Sequence, residues 1–373
     1  MIDLSRVLGG PFCTQILGDH GADIIKLEPP QGDETRSWGP PFNNGTGAYY
    51  TGVNRNKRGG VLDLSRPEGR EVLVGLLDGA DVLVENFKPG TLEKWGLGYS
   101  VLKQNFPRLI HCQISGFGAD GPLGGLPGYD AIIQAMTGIM SVNGAAHQPP
   151  TRVGIPIVDI VTGMNAAIGI LLALHERERS GLGQHIEATL YDSGISLLHP
   201  HLANFFSSGV RPIRTGNAHP NICPYDTFVT GTDPIFLAVG NDGQFAKLCK
   251  RIGRAELATD HRFRTNADRV ANRDLLKQEI EGSMAQLDCE TLASDLINRG
   301  VPCGPVLSVD AVTRHPHTAS RGMTVRIGSY TGTGSPIKLS RTPAQYRLAP
   351  PEFGQHTSEI MTQHRDNGDR DAD

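Results

Sequence analysis

The chain has 373 residues, 38% of them hydrophobic and 20% charged, enough for a large core and for more than one lobe. A formal net charge of −4 excludes a protein that holds nucleic acid by electrostatics. The six cysteines (Cys13, Cys112, Cys223, Cys249, Cys289 and Cys303) lie far apart with no CxxC pair, which predicts reduced thiols in a cytoplasmic protein and no disulfide frame or zinc site.

Taken in order, "ADIIKLE" and "GGVLDL" predict strands, and "PEGREVLVGLLDGA" predicts a helix with Pro67 in its first turn and Gly79 near its end. "DVLVENF" follows as a strand, "GTLEKWGLGYSVLKQNF" as a helix and "RLIHCQISG" as another strand. Val- and Ile-rich strands alternating with helices predict an α/β fold with βαβ units and a parallel sheet. Ligands gather beyond the carboxyl ends of such strands, which here carry "LEPPQGDETR", "ENFKPG" and "SGFGADGP". "GFGADG" also fits the dinucleotide fingerprint, but that motif requires a helix to open there. Pro122, Gly124, Gly125 and Pro127 predict a glycine-rich loop instead.

"GIPIVDIVTGMNAAIGILLAL", residues 154–174, holds one carboxylate, Asp159. The run is broken by Thr162 and Asn165 and reaches charge at Glu176, so it predicts a buried helix and not a membrane span. "HIEATL" follows as a strand, then a turn-rich linker at 206–220, then "TFVTGTDPIFLAVG" as a hairpin, helices through Asn298, and "GVPCGPVLSV". The expected division is a large lobe over 1–205, that linker, a smaller α+β lobe over 221–318, and a segment over 319–373 that returns to the large lobe. The tail "HRDNGDRDAD" is expected to fray.

Asp159 has two readings. As an N-cap it accepts a first-turn amide and suits the positive helix end. As a nucleophile it is kept ionised by that helix end, in a dry site, ready to attack an activated carbonyl. Arg55, Lys57 and Arg58 in "NRNKRGG" suit phosphates or a solvated turn. His185 and Glu187 share a strand face without the further ligands a metal needs, and His199 with His201 is no better.

Several segments in this order carry a resemblance: "LSRVLGGPFCTQILGDHGADIIKLEPPQGDETR", "NKRGGVLDLSRPEG", "VLVENFKPG", "ISGFGADGP", "GYDAIIQAMTG", "VDIVTGMNAAIGILLAL", "SGLGQHIEATLYDSG", "TGNAHPNICPY" and "GVPCGPV". Together they span almost the whole chain. The chain resembles the family III CoA-transferases, which include formyl-CoA transferase and carnitine CoA-transferase. The resemblance implies a Rossmann-like large lobe, an interlocked homodimer, and CoA or acyl-CoA as substrate with no tightly bound cofactor. It places the first residues of a typical member before Met1.

By the same resemblance Asp159 is the catalytic aspartate, passing through an aspartyl anhydride and an aspartyl-CoA thioester. Leu62, Asn86, Phe87 and Lys94 fall on the CoA-binding segments, with Lys57 and Arg58 serving the phosphate end. Tyr129 and Asp130 fall on the acyl-pocket pair. Leu8 replaces the Gln of formyl-CoA transferases, and "TGNAHPN" replaces their run of glycines. Oxalate is therefore not the expected acceptor, and succinyl-CoA or another dicarboxylic acyl-CoA is the expected donor. Two alternatives remain: an α-methylacyl-CoA racemase-type enzyme, whose relatives carry His in a "GHD" motif where this chain has Tyr129, and a non-catalytic acyl-CoA binder. No nucleic-acid or membrane partner is expected.

Overall fold

The computed structural model describes residues 1–368; the last five residues of the tail lie outside the described range. The chain forms two compact units, one of Met1–Ile139, Val153–Leu198 and Pro316–Asp373, the other of Met140–Arg152 and His199–His315.

The first unit is built on six strands: β1 (Ile2–Asp3), β2 (Ile24–Glu28), β3 (Lys57–Val61), β4 (Val82–Glu85), β5 (Ile110–Ser115) and β6 (His185–Thr189). All pair in parallel in the order β3-β2-β1-β4-β5-β6. Every residue of β2, β4 and β5 is buried, as expected of parallel strands covered on both faces. β1 is only two residues long yet central, with Ile2 opposite Ile25 on one side and Leu83 on the other. Strand order reverses between β1 and β4, which opens a crevice beyond their carboxyl ends.

The main helices of this unit are α1 (Gly9–Asp19), α2 (Pro67–Asp78), α3 (Asp130–Met136) and α4 (Ile157–Ser180). As predicted, α2 begins on Pro67 and ends at Gly79. The expected helix over "GTLEKWGLGYSVLKQNF" is instead two short ones, Thr91–Lys94 and Tyr99–Asn105, because Gly96 between them sits at φ +73°. No helix opens at "GFGADG"; the chain stays a loop until α3 begins at Asp130.

The helix α4 has 24 residues, longer than the apolar run read from the sequence, and by length and composition alone it is long and apolar enough to cross a membrane. One face packs in the core, through Val158, Ala166, Ile170 and Ala173. Gly163 lets α1 cross it closely, since a Cβ there would sit 2.5 Å from the Gly9 carbonyl oxygen.

The return segment closes the open edge of β3. Gly59 and Val61 donate their N–H groups to His356 Nδ1 and Thr357 Oγ1, each at 3.0 Å, and His356 N–H donates back to the Gly59 carbonyl at 2.8 Å. An edge that would otherwise pair with another chain is thereby covered.

The second unit is α+β. Strands β7 (Tyr225–Phe228), β8 (Ile235–Ala238) and β9 (Cys303–Pro305) form an antiparallel sheet with β8 central, and the predicted hairpin is β7–β8. Helices α5 (Asp242–Arg251), α6 (Arg273–Met284) and α7 (Cys289–Asn298) contribute Phe245, Leu276, Ile280 and Leu292 to its core.

Candidate active site

A cleft of about 310 Å³ opens in the first unit at the switch point. Its walls are Arg6–Gly9 after β1, Asn86–Pro89 after β4, and Ser115 and Gly116 at the end of β5, with Tyr129 and Asp159 alongside.

Side-chain hydrogen bonds pin the first wall. The Asn86 amide accepts the Arg6 N–H at 2.8 Å and donates to the Arg6 carbonyl at 2.7 Å. Lys26 Nζ donates to the Ser5 carbonyl at 2.6 Å and pairs with Asp33 at 3.4 Å. Val7 is held at φ +69°, a strained conformation for a β-branched residue, with its N–H directed to the Asp33 carboxylate at 3.3 and 3.4 Å. Gly9 leaves room beside the reactive carboxyl: a Cβ there would sit 3.6 Å from Asp159 Oδ1.

Asp159 is the third residue of α4 and not its N-cap, which is Pro156 with no side-chain bond. The cap comes from Asp130 instead. Its Oδ2 accepts the N–H groups of Val158 and Asp159 at 2.8 and 3.3 Å, and its Oδ1 accepts Gln134 Nε2 at 2.6 Å. The half-buried Asp159 carboxyl is thus released from capping. Burial first, and Asp130 second, push it up to about 7. The expectation that the helix end holds it firmly ionised is overturned, because Asp130 has taken the amides. Tyr49, which no motif singled out, lies close by: burial, then Asp159 and Asp130, push its phenol up to about 12.

Of the residues singled out in the sequence, Leu8, Asn86, Phe87, Tyr129 and Asp159 line this cleft, and Asp130 lies buried behind it. Leu62 is buried in the core beyond β3, and Lys94 is exposed on its short helix; neither lines the cleft. Lys57 and Arg58 require correction. They begin β3, at the amino end of the sheet, opposite Ile24 and Ile25 of β2. Lys57 spends its three donors on Asp3 (3.1 Å), the Pro11 carbonyl (2.9 Å) and Asn54 (2.9 Å), leaving none for a phosphate. Arg58 pairs with Asp23 and Glu359, each at 2.7 Å. Arg55 is likewise committed, to Asp19 and the Thr333 carbonyl. Among the described residues, the cations that do line the cleft are Arg6 and Lys88, neither of which belongs to a basic run that would mark it in the sequence.

The family model described as CoA-transferase family III matches residues 1–357. The chain belongs to CoA-transferase family III. Among its relatives are a succinate–glutarate CoA-transferase from Agrobacterium fabrum, 40% identical over 97% of this chain and 94% of that one, and an acetyl-CoA:oxalate CoA-transferase from Acetobacter aceti, 42% identical over 91% and 88%. A CAIB/BAIF family protein from Brucella suis superposes with a TM-score of 0.88, at 42% identity over 97% of both chains. This family III enzyme transfers CoA. A larger cavity of about 630 Å³ lies within the second unit, and Asp159 is not among its lining residues.

Proposed function

We propose that this enzyme moves CoA between carboxylic acids through Asp159, with succinyl-CoA or another dicarboxylic acyl-CoA as donor. The observation that carries the reading is a half-buried carboxyl, freed from capping, at the switch-point crevice. The Asp159 carboxylate attacks the thioester carbonyl, the C–S bond breaks, and an acyl-aspartyl anhydride and CoA thiolate result. The thiolate attacks the aspartyl carbonyl, expelling the donor acid and leaving an aspartyl-CoA thioester. The acceptor carboxylate attacks that thioester to give a second anhydride, and the thiolate then takes the new acyl group and frees Asp159.

Tyr129, 58% exposed at the cleft, borders the acyl group, and Asn86 and Phe87 flank the CoA arm. Arg6 and Lys88, with Lys94 further out, meet its phosphates. Relatives named for succinyl-CoA:mesaconate and succinyl-CoA:glutarate transfer, at 39% and 35% identity, support the dicarboxylic donor. Racemisation needs two acid/base groups at the α-carbon. Among the described residues no histidine lines the cleft, and Tyr129 stands where a racemase relative carries one.

The free carboxylate is the attacking species, and it is pushed up to about 7. The kcat/KM for acyl-CoA is therefore expected to fall about tenfold per pH unit below 7 and to level off above. Hydroxylamine added with acyl-CoA at pH 7 is expected to mark Asp159, read by peptide mass spectrometry. A flat profile from pH 5 to 8 with no mark would sink the nucleophile assignment.

The other face of α4 exposes Met164, Ile168, Leu171 and Leu172, each 45–65% accessible. Four apolar side chains on one helical stripe ask for a cover. A second copy of the chain, interlocked with the first, is the cover we propose, in a cytoplasmic enzyme. Light scattering at micromolar concentration is expected to give twice the chain mass, and a monomer there refutes the dimer.

A further inference from the structure

Resting on that reading of Asp159, we propose that Asp130 is a positioning residue for the Asp159 carboxyl and not a ligand of the acyl group. The Tyr129–Asp130 pair splits at the start of α3. Tyr129 turns to the cleft, while Asp130 is 7% exposed and absent from the cleft's lining. Both its oxygens are spent, one on Gln134 Nε2 and one on the amides of Val158 and Asp159. Gln134 is itself fully buried, and its Oε1 accepts the Val153 N–H at 2.8 Å. Two side chains of α3 thereby hold the segment that leads into α4 and the first turn of that helix. That turn carries Asp159, so its aim toward the space beside Gly9 is set from α3.

The same contact brings a second negative charge close to the nucleophile. Asp130 and Asp159 repel while both are ionised, and the repulsion is relieved as Asp159's charge passes to the thioester oxygen and on to the thiolate. A dicarboxylic acyl group would meet only a committed, like-charged group at Asp130, which is why it does not serve as a ligand there. Among the described residues, the other charged or titratable side chains that line the cleft or act on Asp159 are Arg6, Lys88 and Glu34 and the phenols of Tyr49 and Tyr129. None of these takes the α4 amides.

The test is Asp130→Asn, whose amide oxygen can still accept the two N–H groups. We expect KM for acyl-CoA to stay within about twofold and kcat to fall about tenfold or more. The acid limb of kcat/KM is expected to move to lower pH by about one unit or more as the like charge is removed. Gln134→Met loosens Asp130 without touching the cleft, and is expected to lower kcat at unchanged KM. An unmoved acid limb with a KM raised about tenfold in Asp130→Asn overturns the proposal and makes Asp130 a ligand. Should that variant not fold, a raised KM with intact kcat in Gln134→Met overturns it equally. Hydroxylamine marking of the wild type separates the two levels. A marked Asp159 with an unmoved limb refutes only the role of Asp130, while an unmarked Asp159 takes both readings down.

Discussion

Asp159→Asn is expected to lose transfer altogether and to be more stable than the wild type above pH 7. The loss follows from chemistry: an amide forms neither the anhydride nor the thioester. The gain follows from linkage. The Asp159 carboxyl is raised from an ordinary 3.8 to about 7, by burial first and Asp130 second. Between those values the folded chain keeps a proton that the unfolded chain has released. Stability therefore falls as pH rises from about 4 to about 7, and the full cost is present above that. A shift of about three units sets a ceiling of about 4 kcal/mol. Water reaches the half-open carboxyl, so about 1–2 kcal/mol is the expected gain. Asn carries no charge to bury, and it leaves Asp130 capping α4. Urea unfolding at pH 8 should show a higher midpoint for the variant, with the difference shrinking at pH 5. Equal midpoints at pH 8 would mean that the charge on Asp159 is not costly, and the argument for a poised nucleophile would lose its basis.

Asp159 stood out in the sequence because a lone carboxylate in an apolar run demands a reason. The reason itself was out of reach, since Asp130 is 29 residues away and reaches the helix only through space. The strands β2, β4 and β5 were legible as short apolar runs between turns, and β6 by the alternation of "HIEATL". The central β1 was not, because two residues, Ile2 and Asp3, carry no period. The helix predicted across Gly96 failed for a conformational reason: a left-handed glycine ends a turn that apolar spacing alone would continue. The walls of the cleft follow the same division. Asn86 and Phe87 came through the resemblance and the position after a strand; Lys88 shares that position in "ENFKPG" but has no second cation beside it to mark it, and Arg6 stands alone in its loop.

The basic run at Arg55–Arg58 shows what spacing cannot tell: which end of a parallel strand a residue occupies. Lys57 sits at the amino end of β3 with its side chain 0% exposed, and its partner Asp3 is equally enclosed. Burial alone would push the Asp3 carboxyl up, but Lys57, Lys26, Ser5 and Thr14 together hold it down at about 2. Lys57→Met is therefore expected to cost about 3 kcal/mol, the low end of the penalty for breaking a buried ion pair, because Lys26, Ser5 and Thr14 still face the Asp3 carboxylate. In a chain that still folds at low temperature, KM for acyl-CoA should be unchanged, because the ammonium never faces the cleft. Adding Asp3→Asn should recover part of the loss, since the stranded charge is then gone, and the double-mutant cycle isolates the pair. The pH dependence has a definite sign. Asp3 is depressed in the fold, so its contribution is present above its ordinary 3.8 and is lost as pH falls through about 2. The wild type and Lys57→Met should thus differ most at neutral pH and converge in strong acid. A variant of wild-type stability with a raised KM would return Lys57 to the phosphates of CoA. The register of β3 on β2 argues for the other outcome, because it fixes Lys57 opposite Ile24 at the amino end of the strand, with its ammonium spent on Asp3, Pro11 and Asn54.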